Sequence, residues 1–206
     1  EIMPFLEQLR RRFSLPILYV SHNLDETLRL ADKVIVMDEG KIVASGAVEE
    51  TLSRIDVQSL ILGGATSGAH PEPVTIMSAT IGAKADDGLY AISTPWGTLA
   101  APDISGAPGS SARLRIRARD IVLSTVKPTG LSIRNIIAGE VGTMTEAGSA
   151  QVDILVRPLD GSDAPPPWAR VTRRAATQMD LQPGQPIWAL IKAVVLASDI
   201  DLEALR

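Results

Sequence analysis

The chain has 206 residues and a net charge of −4; 45% of it is hydrophobic, 21% charged and 3% aromatic, which suits a folded protein of one to three domains with aliphatic cores. With no Cys and only His22 and His70, a disulfide framework, a thiolate metal site and a His-rich metal centre are excluded. The acidic balance and scarce aromatics argue against a nucleic-acid partner, and no apolar run approaches the ~20 residues needed to span a bilayer, so direct membrane insertion is not expected.

Residues 1–13 read as an amphipathic helix, with Ile2, Phe5, Leu6 and Leu9 at helical spacing and Arg10, Arg11 and Arg12 in the last turn. The chain opens without Met inside this helix, which reads as a piece of a longer protein. The run Pro16-Ile17-Leu18-Tyr19-Val20 is continuously apolar and predicts a strand buried on both faces, ending at Ser21-His22-Asn23. A helix follows over about 25–31. Strands at 33–37 and 42–46 flank the turn Asp38-Glu39-Gly40-Lys41 and predict a hairpin, and a short helix spans about 48–54. Residues 62–73 are Gly-, Ser- and Pro-rich and read as a linker.

From Val74 the hydrophobic period changes to two. Strands are predicted at 74–80, 89–94, 96–100 and 113–123, the last with Arg113, Arg115, Arg117 and Arg119 on one face, read as solvated or ion-paired. A second set follows at 136–145, 151–157, 168–172 and 186–196, with a short helix at 174–179 and a frayed or helical tail at 199–206. An OB-like barrel has five short strands, the architecture expected of these strands and the short helix, and the two β segments look like related units.

The chemistry concentrates in Leu131-Ser132-Ile133-Arg134-Asn135-Ile136 and the distant Ile191-Lys192-Ala193. Two cations, a hydroxyl and an amide, with no carboxylate between Ser132 and Asn135, are the inventory that holds a compact dianion. Lys192 follows Trp188, Leu190 and Ile191, so its charge is expected to be partly desolvated. The alternative is that Arg134 and Lys192 are ordinary solvated strand charges.

Two resemblances follow from these residues. The order helix, apolar strand, Ser-His, helix and ADKVIVMDEGKIVASG over roughly residues 1–60 resembles the end of an ABC transporter ATPase domain. It implies that His22 is the switch histidine at the γ-phosphate, at the carboxyl end of a parallel strand. No G-x-x-x-x-G-K-[ST] motif occurs, so ATP and Mg belong only to a complete parent subunit, and this chain by itself is not expected to hydrolyse ATP. Over about 112–198, RLRIRARDIVLS, GLSIRNIIAGEV and ARVTRRAATQMDLQPGQPIWALIKAVVLAS resemble the C-terminal regulatory region of the ATP-binding subunits of molybdate ABC transporters, ending in a Mop unit of TOBE type. That resemblance implies an oxyanion bound between paired Mop units by Ser132, Ile133 (backbone), Arg134, Asn135, Thr172, Lys192 and Ala193 (backbone). The family often carries Ser where this chain has Ala175, and Arg173 or Arg174 is the candidate replacement.

The fold class expected is therefore mainly β: OB-like TOBE/Mop β-barrel units preceded by a truncated α/β fragment of an ABC ATPase domain. The expected divisions are 1–62 (ATPase fragment), 63–73 (linker), 74–128 (first TOBE-like unit) and 129–206 (oxyanion-binding unit). The function implied is the regulatory portion of the ATP-binding subunit of a molybdate or tungstate importer, coupling the bound oxyanion to ATPase and transport activity. Its partners would be a second copy in a homodimer and membrane-spanning permease subunits, at the cytoplasmic face of the inner membrane, peripherally. The alternatives are a ligand-free dimerisation module of an ABC ATPase, or a TOBE regulatory domain of a sugar, polyamine or phosphate importer.

Overall fold

The computed structural model describes residues 2–13, 16–61, 70–102, 104–159, 164–192 and 194–196. The N-terminal part contains helix α1 (Met3–Phe13), α2 (Leu24–Leu30), the hairpin β1 (Lys33–Asp38) and β2 (Lys41–Ala47), α3 (Val48–Leu52) and α4 (Ile55–Ile61). Asn23 starts α2 by accepting from the Asp25 and Glu26 N–H groups. The hairpin turns through Glu39 and Gly40, both at positive φ, the geometry that matches strand twist in a two-residue turn.

One expectation fails here. The run 16–20 is not a strand but an extended, exposed segment, with Leu18 90% and Val20 89% accessible. A strand buried on both faces needs neighbours on both edges, and among the described residues the run has none; β1 and β2 pair only with each other.

The remainder is mainly β, in two five-stranded, near-closed sheets. The first holds β3 (Val74–Lys84), β4 (Tyr90–Thr94), β5 (Gly97–Ala101) and β6 (Ser111–Arg117). The second holds β8 (Asn135–Ala147), β9 (Gln151–Pro158), β10 (Trp168–Thr172) and β11 (Pro186–Ile191), with helix α5 (Arg173–Gln178) after β10. Each sheet takes its fifth strand from the other segment. β7 (Ile121–Ser124) pairs with β11, and β12 (Val195–Leu196) pairs with β6, giving the orders β12-β6-β3-β4-β5 and β7-β11-β8-β9-β10. The long strands expected at 113–123 and 186–196 are therefore both interrupted. A 3-10 turn at Ala118–Asp120 lies between β6 of the first sheet and β7 of the second, and β11 ends at Ile191 in the second sheet while β12 begins at Val195 in the first. The inward positions change phase across the first break, from Leu114, Ile116 and Ala118 to Ile121 and Leu123, a change that reading 113–123 as one alternating strand passes over. The helix after β10 begins one residue earlier than expected, and the expected tail at 199–206 lies outside the described residues, as does most of the linker.

The two segments are a structural repeat. In the first, Gly109 N–H donates to Ile81 C=O (2.7 Å) and Ile81 N–H to Ser110 C=O (3.0 Å); in the second, Gly184 donates to Val141 (2.7 Å) and Val141 to Gln185 (2.8 Å). Gly109 and Gly184 have φ of 87° and 84° in matching Pro-Gly turns. Thr75 pairs with Ile116 as Asn135 pairs with Ile191. Both Thr75 and Asn135 are buried polar residues, and each reaches across to the other unit. Thr75 Oγ1 accepts from Trp168 N–H (3.2 Å); Asn135 Oδ1 accepts from Ala100 N–H (2.7 Å) while its Nδ2 donates to Ala100 C=O (2.9 Å). One continuous aliphatic core, including Leu114, Ile116, Ile154 and Ile187, fills both units.

The N-terminal part docks on the first unit through a separate cluster in which Leu28, Val48 and Leu52 meet Val74 and Ile76. The open edge of β3 is covered by side chains. Gln58 accepts from Val74 N–H (2.7 Å) and donates to Val74 C=O (2.5 Å), and Ser53 Oγ brackets the Ile76 amide and carbonyl (3.0 and 3.1 Å). The arginine face of β6 is ion-paired: Arg113 with Glu49 (2.8 Å) and Arg115 with Asp25 (3.1 Å), while Arg119 meets Glu72 (3.2 Å).

Candidate functional site

β8 begins at Asn135 and β11 ends at Ile191, and the two residues are cross-strand partners. One residue beyond that pair, Arg134 precedes β8 and Lys192 follows β11, so the two cations leave the same end of the second barrel. Both are exposed, and among the described residues neither side chain has an ion pair or hydrogen bond. Ser132 is exposed beside them and Ile133 half-buried. The backbone is anchored: Lys192 N–H donates to Asp120 C=O at 2.8 Å. The expected desolvation of Lys192 is not found, because the residue lies past the end of β11, outside the apolar strand that precedes it. Ala193 lies outside the described residues.

Asn135 differs from the other residues of its motif. Its carboxamide is spent on both backbone groups of Ala100, where it acts as one rung of strand pairing on the free edge of β5. It fixes where Arg134 leaves the sheet.

Thr172 is elsewhere. It pairs with Gln151, and Gln151 with Ala147, the last residue of β8, so within one chain Thr172 and Arg134 sit at opposite ends of that strand. Thr172 caps α5, its Oγ1 accepting from Ala175 N–H at 3.1 Å. The hydroxyl proton is left to donate outward. Of the two candidate replacements for the missing Ser, Arg173 is committed to Glu146 (2.7 Å) and to the carbonyls of Gly148 and Ser149. Arg174 is exposed and has no ion pair among the described residues.

His22 is exposed in the bend between the apolar run and α2. Around it, Ser21 Oγ accepts from Asn23 N–H (3.0 Å) and donates to Glu26 (2.5 Å), and Tyr19 also donates to Glu26 (3.0 Å). The Ser21 bond holds the Glu26 carboxyl below the usual glutamate range, and the same carboxylate pushes the Tyr19 hydroxyl up. His22 and the Arg134–Lys192 end are separate places, and no described residue belongs to both.

Chemically, the barrel end offers two cations without an ion pair among the described residues, and a hydroxyl, and the capping threonine offers one more hydroxyl donor. Groups of this kind suit a dianion with acceptor oxygens only; among the described residues no group of His, Asp and Glu fits a metal ion. Sequence reasoning missed Asp153, whose carboxylate binds Arg170 through two bonds (2.7 and 2.8 Å) in the barrel wall, and Glu72, which pairs with Arg119. The alternation that placed Val152 and Ile154 inward put Asp153 on the solvent side, but the peptide 70–71 packs over it: Arg170 also donates to the His70 and Pro71 carbonyls.

Residues 131–197 match the TOBE domain family. Nearly the whole chain is similar to molybdenum import ATP-binding proteins named ModC. Identity is 38% over 205 residues with that of Rhodospirillum rubrum (97% of this chain, 52% of the relative) and 35% over 197 residues with that of Paramagnetospirillum magneticum (96% and 52%). The chain thus spans about half the length of these curated relatives. Among solved structures, the cytoplasmic molybdate-binding protein ModG, in a form with molybdate bound, matches 64% of this chain and 97% of its own length, with a TM-score of 0.50 and 25% identity.

Proposed function

We propose, from the premise that this chain is a relative of the molybdenum import ATP-binding proteins and carries a TOBE domain over residues 131–197, that it is the oxyanion-sensing portion of a molybdate or tungstate importer's ATP-binding subunit. The observation that supports the reading is that Arg134 and Lys192 flank the cross-strand pair Asn135–Ile191, both exposed and, among the described residues, without a protein anion, with Ser132 two residues before Arg134. Arg134, Lys192, Ser132 and the backbone of Ile133 and Ala193 form one half of the site, with Asn135 holding them in register. Thr172, at the far end of β8, supplies the other half from a second copy, with Arg174 in the place of the missing Ser hydroxyl. A homodimer follows, since a two-fold pairing brings each half to the other.

In the complete subunit His22 contacts the γ-phosphate of ATP, and permease subunits are the membrane partners. The chain itself has no described helix long and apolar enough to cross a membrane; the place proposed for it is peripheral, on the cytoplasmic face. Coupling has a physical route. The residues after Lys192 form β12, β12 pairs with β6, and Arg115 on β6 reaches Asp25, in the first turn of the helix that follows His22. Regulation requires that the oxyanion bind two arrangements of the ATPase with different affinity.

The test is calorimetric titration of the full chain with sodium molybdate. The wild-type chain binds, and Arg134→Ala and Lys192→Ala each lose roughly 10- to 100-fold in affinity, the range for a charge-assisted bond. A wild-type dimer that takes up no molybdate or tungstate refutes the sensor and leaves a ligand-free dimerisation module.

A further inference from the structure

The repeat carries a second copy of the barrel end described above. Thr75 corresponds to Asn135 and Ile116 to Ile191, so Glu72 stands where the second unit has Ser132, Val74 where it has Arg134, and Arg117 where it has Lys192. One cation is kept, one is lost, and the hydroxyl is replaced by a carboxylate. That carboxylate is not pointed idly at solvent. Glu72 Oε1 accepts from the Arg119 backbone N–H at 2.9 Å, and Oε2 lies 3.2 Å from Arg119 Nε. The Glu72 side chain is only 20% exposed, against 60% for Arg119. Its charge also acts on Arg115 and on Arg170, whose guanidinium bonds the carbonyl of Pro71 next in sequence. A backbone N–H and a guanidinium are the surroundings of a bound anion; here the anion is part of the chain.

We propose that the first unit contains a latent anion site filled by the Glu72 carboxylate, so that this unit is permanently in its anion-occupied form and only the second unit responds to a free oxyanion. The assignment of the counterpart rests on the reading of Ser132, Arg134 and Lys192 given above, but the Glu72 contacts stand without it. The ligand class of the emptied site is a small carboxylate, the chemistry that the chain itself supplies there.

The test is chemical rescue in the full chain carrying Arg134→Ala, which removes the second-unit site from the measurement. Thermal denaturation is followed in sodium formate and in sodium chloride at equal ionic strength. Glu72→Ala in this background melts lower than its parent, formate raises its midpoint more than chloride does, and the parent with Glu72 intact shows no such difference, because binding to the native state alone raises apparent stability. Adding Arg119→Ala abolishes the formate effect. Equal responses to formate and chloride in the Glu72→Ala chain overturn the proposal. If that chain does not fold, Glu72→Ser, which installs the residue of the second unit, is titrated in its place with the same two outcomes. Failure of the wild-type chain to bind molybdate would refute the sensor and leave the formate result unaffected, so the two readings fail separately.

Discussion

Asp153 and Arg170 show how a single charge pair can matter more than its position in the strand pattern suggests. Their side chains are 4% and 10% exposed, joined by two bonds, and Arg170 also holds the His70 and Pro71 carbonyls. Removing one partner of a buried pair leaves an uncompensated charge. Asp153→Ala should therefore cost roughly 3–5 kcal/mol in urea unfolding, far above the ~1 kcal/mol of an exposed pair. Thr172 carries two roles that one substitution separates. Thr172→Ala removes the cap of α5 and should cost about 1 kcal/mol without any ligand, read from the denaturation midpoint. If Thr172 also donates to the oxyanion, molybdate affinity falls in addition, and Thr172→Ser restores both. Of the residues picked out in sequence, Ser132 and Arg134 were legible as neighbours because they lie in one short segment, whereas Lys192 is related to them only through the long-range pairing of β8 with β11. Thr172 was not legible as distant from them, because position along a 13-residue strand has no local signature.

At the scale of elements, the two barrels are held by side chains that imitate backbone. Asn135 gives Ala100 both a donor and an acceptor, and β5 gains a rung it would otherwise lack. Asn135→Asp keeps the acceptor but turns the donor into a second acceptor facing the Ala100 carbonyl. It should destabilise the chain by about 1–3 kcal/mol, the range for an unsatisfied buried group, seen as a lower thermal midpoint above the aspartate pKa. Which sheet each half of 113–123 and 186–196 joins was not legible in the sequence. The inward phase shifts from Leu114, Ile116 and Ala118 to Ile121 and Leu123, which marks an interruption, but the same inward-outward pattern serves whichever sheet a strand joins. The hairpin of β1 and β2 was legible, since its Glu-Gly turn is local chemistry. The run 16–20 was misread because burial of a strand on both faces depends on neighbours, not on its own composition.

At the scale of the whole molecule, the N-terminal part is joined to the barrels by an aliphatic cluster and by ion pairs along one face of β6. Partial burial pushes the Glu49 carboxyl up, but bonds from Arg113 and Ser78 and the Arg113 charge outweigh it and hold the group below the ordinary glutamate value. A carboxyl depressed in the folded state contributes stability above its unfolded pKa and loses that contribution as pH falls through the folded value. Acidification below the ordinary glutamate range should therefore loosen α3 from β6 before the barrels unfold. Hydrogen exchange at 48–61 should rise in acid while the amides of β8 and β11 stay protected. Uniform loss of protection would show that the ion pairs do not set this boundary. Of the two docking arginines, Arg115 is the less exposed, and burial lowers its pKa while the Asp25 charge opposes the shift.

The sequence by itself determined the β character from Val74 onward, the repeat of two β units, the absence of thiolate chemistry, and the nearness of Ser132 to Arg134. These follow from periodicity, turn residues and composition, which act over a few residues. Tertiary structure alone decided that each barrel takes a strand from the other unit, that Asn135 is bound to Ala100, that Thr172 faces away from Arg134, and that Glu72 occupies the first unit's counterpart. Those outcomes depend on which backbone edges and charges meet across long stretches of chain, and a local pattern of apolar and polar residues fits several such meetings equally well.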